Sequence, residues 1–420
     1  MTMPLASADV EVEAVARQAR SCSQVLRLMP GAQKNACLLA FGAALQDAAD
    51  GILKAARDDA AHARAHVAPT HVVQALALSR ADLESKSRLA ATLAGLPEPV
   101  GRVESTWIRP NGLKIEKTRV PLGVVALLVE YDVGAVIDAL LLCVKAGDAV
   151  VVLAGPMVNR TCTAVVRALS AAAVPGQASV GLVYLVPGHG EAARRALVRQ
   201  RDLVDVAIPV GSAAWVEAIV GEALVPVLGQ SGRRRHVYVD EDADLALALA
   251  VVADVVTMDP GGDGPDVVLV HRAVAPRIVP AVANMLLEKT LPFTADAGAS
   301  KLLASLQLAS GLATGGGTGA VHLALVEGVD AAAAAIAEHG SGYSDAILTN
   351  DRAVAARFAA LVDSACVYLN ASPRFTDGGQ FGMGAQVTVS TGRLHARGPL
   401  GIDELTTCKY VVTGKGQVLG

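Results

Sequence analysis

The run Val124-Val-Ala-Leu-Leu-Val129 opens the stretch whose reading decides the fold. Three further short apolar runs follow it, at 149–153, 180–186 and 204–210, all rich in valine. Between them lie segments with helical character, at 161–173, 191–199 and 213–223. Short apolar runs that alternate with helices read as parallel strands, because a parallel connection needs a crossover and the crossover helices cover both faces of the sheet. The stretch 121–241 is therefore expected to be doubly wound α/β. A second α/β stretch is expected over 244–367.

Outward from this centre the pattern changes. Residues 1–95 read as helices, with Leu38, Leu39, Phe41, Leu45, Ile52 and Leu53 recurring at near-helical spacing among alanines. Pro97 and Pro99 close that region. Thr106-Trp-Ile-Arg109, the turn Pro110-Asn-Gly112 and the partly alternating run 113–120 predict a hairpin, since Asn and Gly tolerate the positive φ of tight turns. Near the other end, Lys409-Tyr-Val-Val-Thr413 reads as a strand that pairs with this hairpin.

Composition excludes several classes. The chain has 420 residues, a net charge of −4 and 52% hydrophobic residues, of which only 3% of the chain is aromatic. The charge argues against a nucleic-acid binder. Asp138, Lys145, Asp148 and Asp254 interrupt the longest apolar runs, so no span reaches the roughly 20 apolar residues of a membrane helix. The first residues show no basic region before an apolar core, and a cytoplasmic location is expected. Six cysteines, at 22, 37, 143, 162, 366 and 408, lack Cys-x-x-Cys spacing and read as free thiols. Asp58, His62 and His66 share a helical face, which reads as solvated surface, and no metal is expected.

Several segments carry a resemblance. They are Arg119-Val-Pro-Leu-Gly-Val-Val125, Val174-Pro-Gly176, Ile208-Pro209, His236-Val-Tyr-Val-Asp-Glu241, His339-Gly-Ser-Gly-Tyr-Ser-Asp-Ala-Ile-Leu-Thr349 and the glycine-rich block from Asn370 to Pro399. In this order and spacing the chain resembles the γ-glutamyl phosphate reductases of the aldehyde dehydrogenase superfamily. The resemblance implies a dinucleotide-binding domain (1–105 and 121–241), a catalytic domain (242–385) and an oligomerisation hairpin (106–120 and 386–420) that makes a homo-oligomer. It also implies NADP as cofactor and reduction of γ-glutamyl phosphate to glutamate 5-semialdehyde, a step toward proline. In that chemistry a thiolate expels phosphate to form a thioester, which hydride then reduces, while a fixed amide donor holds the oxyanion.

The chain departs from the family at those very groups. Where the family's Thr-Cys-Asn carries the nucleophile, this chain has Gly262-Asp263-Gly264. Where an Arg-Pro-Asn element supplies the oxyanion donor, it has Glu130-Tyr-Asp-Val-Gly-Ala135, with Gly134 at the asparagine position. The lysine that meets the cofactor is missing from Ala154-Gly-Pro-Met157. A glycine-rich run is replaced by Gly229-Gln-Ser-Gly-Arg-Arg-Arg235. Three losses around one site are the pattern of a catalytically retired member, a pseudoenzyme with a scaffold, regulatory or ligand-binding role. The alternatives are an active reductase and an enzyme repurposed for a specialised biosynthetic pathway.

The candidate residues follow. Asn370, Arg374, Thr376, Asp377 and Gln380 cluster where the resemblance implies the glutamyl end of a substrate, with Arg374 as the cation for a glutamate-like ligand. Arg233, Arg234 and Arg235 are candidates for gripping an anion. Gly211 and Ser212 follow a strand and open a helix, and with Pro156 they are the cofactor-binding candidates. Cys143 and Cys162 fall in buried helical segments and read as inert. A partner enzyme is a further expectation.

Overall fold

The computed structural model describes residues 5–172, 181–188, 190–229, 232–256, 266–308, 312 and 321–419. Helices α1 (Leu5–Leu26), α2 (Gly31–Asp47), α3 (Ala49–Ala65), α4 (Thr70–Ala75) and α5 (Arg80–Gly95) come first, as the leucine spacing predicts. Strands β1 (Val103–Ile108) and β2 (Lys114–Pro121) form the expected hairpin. The first α/β unit runs β3 (Val124–Val129), α6 (Val133–Ala146), β4 (Ala149–Ala154), α7 (Asn159–Ser170), β5 (Val183–Leu185), α8 (Glu191–Leu197), β6 (Val206–Val210) and α9 (Ala213–Glu222). The second runs β7 (Arg235–Val239), α10 (Leu245–Val256), β8 (Val267–His271), α11 (Ala275–Glu288), β9 (Phe293–Ala295), α12 (Ala297–Ser305), β10 (Val321–Val326), α13 (Val329–His339), β11 (Ser344–Leu348), α14 (Arg352–Leu361) and β12 (Cys366–Leu369). A 3-10 turn (Pro373–Phe375), the short strands β13 (Val389–Ser390) and β14 (Gly398–Pro399), and β15 (Thr406–Thr413) complete the chain.

Both main sheets are parallel throughout. The first has the order β5-β4-β3-β6. Every residue of β3 and β4 is buried, which is why these strands read as unbroken apolar runs. The chain leaves β3 toward β4 and returns to β6 on its other side, so a crevice opens where the carboxyl ends of β3 and β6 diverge. The second sheet has the order β12-β11-β7-β8-β10-β9.

Two expected boundaries move. A division at 241 assigns 235–239 to the first unit, but β7 pairs with β8 and β11 and stands in the second sheet. The segment 386–405 is not part of the hairpin: Ala385, Val387, Leu400 and Leu405 pack into the first unit's core, where burial of apolar surface holds them. Only β15 joins β1 and β2, pairing with β2 from Thr406 to Thr413. The resulting sheet, β1-β2-β15, leaves Trp107, Ile108, Tyr410 and Val412 exposed.

Two of the charges that break the apolar runs, Lys145 and Asp148, are framework. Lys145 and Asp148 are fully buried. Lys145 Nζ donates to Asn35 Oδ1 at 2.9 Å and to the Leu96 carbonyl at 2.7 Å. Asp148 Oδ1 accepts from the Gly123 amide at 2.8 Å. The Lys145 bonds tie the helical N-terminal region to α6, and the Asp148 bond ties the start of β4 to the start of β3, because a buried charge keeps its place only where partners replace water. Among the described residues no single helix is long and apolar enough to cross a membrane.

Candidate functional site

A cavity of about 490 Å³ opens between the two units, beyond the end of β3. Its walls come from three places. Helix α5 contributes Ser85, Lys86 and Leu89, and the start of α6 contributes Asp132, Gly134 and Asp138. Arg233, Tyr343, Asp377 and the segment 384–389 close the other side. Local sequence fixes these positions. Ser79 and Asp82 form a reciprocal capping box that sets the first turn of α5, and Leu83, Ala90 and Leu93 bury the opposite face. Asp132 caps α6, accepting from the Ala135 amide at 3.0 Å. Lys86 and Asp138 then meet across the gap, Nζ to Oδ2, at 2.6 Å.

The structure sorts the predicted residues. Gly134 is at the cavity, and a Cβ built there comes no closer than 3.4 Å to Asp132 Oδ1 and 3.8 Å to Lys86 Nζ. A Cβ therefore fits at this position in ordinary contact. Asp377 also lines the cavity, although its Oδ1 accepts from the amides of Gly379 (2.9 Å) and Gln380 (3.1 Å). Gln380 itself is exposed and does not line it. The remaining candidates of that loop are braces. Asn370 adopts φ +55°, accepts from the Thr349 amide at 2.9 Å and donates to the Thr349 carbonyl at 2.8 Å. Thr376 is buried and shares a hydrogen bond of 2.8 Å with Tyr368. Arg374, the expected ligand cation, is paired with Asp254 of α10 and also reaches the Asp254 carbonyl. The polar side chains of a glycine-rich loop here hold the loop, which residue type alone does not reveal.

The arginine run divides in the same way. Arg235 makes a two-pronged pair with Asp266, at 2.9 and 3.0 Å. Arg234 donates to the His339 carbonyl at 2.8 Å. Only Arg233 is exposed on the cavity wall. Asp263 lies outside the described residues, so its place relative to the cavity is not part of the geometry.

At the crevice, Ser212 caps α9 by accepting from the Trp215 amide at 3.3 Å. Its own amide is taken: it donates to Glu130 Oε2 at 2.6 Å. A Cβ on Gly211 would lie 2.6 Å from that same oxygen, so glycine is needed for the carboxylate to approach. Pro156 is exposed in the turn after β4.

All six cysteines lie among the described residues, and none of them lines the cavity. Burial raises every one of their thiols above the usual range, Cys22 to about 11 and Cys143 well above it. A nucleophilic cysteine needs the opposite shift. The rings of His62 and His66 lie with centres 4.1 Å apart, tilted by 45°, and among the described residues no three His, Cys, Asp or Glu side chains are arranged to hold a metal ion.

Comparison with known proteins decides the kinship. The profile of the aldehyde dehydrogenase family matches residues 1–296. A protein of Symbiobacterium thermophilum named γ-glutamyl phosphate reductase is 38% identical over 97% of this chain and 100% of its own length. The chain belongs to the γ-glutamyl phosphate reductase family of the aldehyde dehydrogenase superfamily. A relative of the same name from Afipia carboxidovorans is 37% identical over 99% of both chains. The crystal structure of γ-glutamyl phosphate reductase from Thermotoga maritima superposes with a TM-score of 0.89 at 29% identity, covering 98% of this chain and 100% of that one. An acetylating aldehyde dehydrogenase of Geobacillus thermoglucosidasius, at 17% identity and TM-score 0.67, shares the fold.

Kinship of this kind points to a nicotinamide cofactor. The Gly211-Ser212 corner does not fit a diphosphate as it stands. The amide that would receive the anion is engaged by Glu130, and a second negative charge beside that carboxylate is repelled. The residues that composition and motif reading passed over are Lys86, Asp138 and Gln386. Asp138 had a signal, a charge inside an apolar run; Lys86 and Gln386 had none.

Proposed function

We propose that this chain is a γ-glutamyl phosphate reductase that takes γ-glutamyl compounds in the cavity between its two units and yields glutamate 5-semialdehyde on the way to proline. The observation that supports this most is kinship along nearly the whole length: proteins of that name match it over 97–99% of the chain. NADPH is the reductant the resemblance implies, held without the Ser212 amide. The exposed apolar residues of the β1-β2-β15 sheet support a homo-oligomer built through that sheet.

One specific observation favours a second reading. The sequence holds no cysteine between Cys162 and Cys366, and burial raises all six thiols above the usual range. On this reading the chain is the retired homologue that its departures suggest, and it holds a γ-glutamyl ligand without turning it over. The relatives' names support turnover better than retirement.

The reverse reaction separates the two. The purified protein is given glutamate 5-semialdehyde, phosphate and oxidised cofactor. Phosphate-dependent formation of reduced cofactor supports the reductase, and with no thiol at the cavity it is expected to survive alkylation by iodoacetamide. Absence of turnover, in protein that binds a γ-glutamyl ligand, establishes the second reading. Turnover abolished by alkylation contradicts the placement of the thiols.

A further inference from the structure

Lys86 and Asp138 form an ion pair on the cavity wall whose pairing is incomplete. Oδ2 of Asp138 meets Lys86, but Oδ1 of the same carboxylate is buried and has no hydrogen-bond partner. In the segment that closes the cavity on the other side, Gln386 Oε1 is also buried and unpaired. An ionised carboxylate offers about four acceptor sites, and one bond from Lys86 leaves most of them open. Buried acceptors without donors are costly, and both residues line one cavity, which suits a group with several hydrogens to give. A primary ammonium has three.

Charge points the same way. Asp132 and Asp377 line the cavity with Asp138. Burial, and then the repulsion of these two neighbours, hold the Asp138 carboxyl above its ordinary range despite the Lys86 ammonium. A cation arriving beside Asp138 relieves that repulsion. The complementary charge is close by: Lys86 has two N–H groups beyond the one facing Asp138, and Arg233 is exposed on the wall. A cavity with acceptors on one part and cations on another matches a zwitterion, in which an ammonium and a carboxylate share one carbon.

We infer that Asp138 and Gln386 receive the α-ammonium of an amino-acid ligand while Lys86 and Arg233 face its anionic groups, so that the cavity selects γ-glutamyl compounds over their des-amino counterparts. The inference rests on the γ-glutamyl reading for its ligand class and adds the residues that read the amino group.

Calorimetric titration of the full chain with L-glutamate and, separately, with glutarate tests it. Glutarate carries the same two carboxylates and no ammonium. L-glutamate is expected to bind about tenfold more tightly or better, the effect of a charged hydrogen bond. Asp138→Asn is expected to remove most of that preference and leave glutarate within about twofold of its original affinity. Gln386→Leu acts in the same sense with a smaller effect, and it keeps the question open if Asp138→Asn does not fold. Equal affinity for the two ligands overturns the inference. So does an equal loss of both in Asp138→Asn, or failure of L-glutamate to bind. The reverse-direction assay is independent. Turnover without discrimination removes the ammonium assignment and leaves the reductase; discrimination without turnover does the reverse.

Discussion

The loop from Asn370 to Thr376 and the facing ends of α5 and α6 both carry polar side chains near the cavity, and they use them differently. In the loop nearly every polar group has a partner within the fold: Asn370 with Thr349, Thr376 with Tyr368, Arg374 with Asp254. At α5 and α6 a single ion pair leaves an acceptor over. Sequence reading favoured the loop because it gathers the residue types that bind ligands. The structure favours the helix ends, because a binding site needs hydrogen-bonding capacity that the fold has not already used.

The largest effect that can break this contrast is in the loop. Asn370→Ala removes both bonds to Thr349 and places alanine at φ +55°. It is expected to cost about 2–4 kcal/mol of stability, from a stranded buried amide and a strained backbone. Denaturant unfolding measures this, and ligand affinity of the protein that remains folded is expected to be unchanged. A loss of less than about 0.5 kcal/mol would show that the loop does not depend on this brace.

Arg374→Ala sharpens the contrast. Its pair with Asp254 is partly exposed on both sides, so the expected loss is about 1 kcal/mol or less. Affinity for L-glutamate is expected to be unaffected. A tenfold weakening of binding in a stable variant would restore Arg374 as the ligand cation.

Lys86→Met acts on the other region and is read through pH. The folded Asp138 carboxyl stands above its ordinary range, through burial. Between the ordinary and the raised value the folded chain holds a proton that the unfolded chain has released, so this group's contribution to stability falls as pH rises through that window. Removing the ammonium widens the window upward. Unfolding curves of parent and variant are therefore expected to diverge as pH rises through the parent's raised value, with the variant losing more. Parallel curves would mean that Lys86 does not stabilise the ionised Asp138.

The smallest effect is at the crevice. Glu130→Gln keeps a hydrogen-bond acceptor for Ser212 and removes a negative charge from the start of α9. Affinity for the oxidised dinucleotide, followed by fluorescence, is expected to rise by about two- to fivefold. An unchanged affinity would show that the diphosphate is held away from this corner.

Much of the fold was legible because periodicity and apolar runs report burial directly. β3 and β6 end where valine-rich runs end, and the Asn111-Gly112 turn closes the β1–β2 hairpin. The boundary near 241 was not legible, since β7 looks the same in sequence whichever sheet it joins. The fate of 386–405 was hidden for a related reason: its few apolar residues show no period, and only packing against the first core gives them a place. At the site, two of the sequence candidates, Gly134 and Asp377, line the cavity. Lys86 was missed because a lysine on an alanine-rich helix is indistinguishable from solvated surface until α6 is set beside it.

The most direct measurement is the initial rate of cofactor reduction with glutamate 5-semialdehyde and phosphate, taken on untreated and on iodoacetamide-treated protein. A phosphate-dependent rate that is the same in both samples is the predicted result. No rate in either sample, from protein that distinguishes L-glutamate from glutarate, would contradict the reductase reading and leave a cavity that binds without reacting.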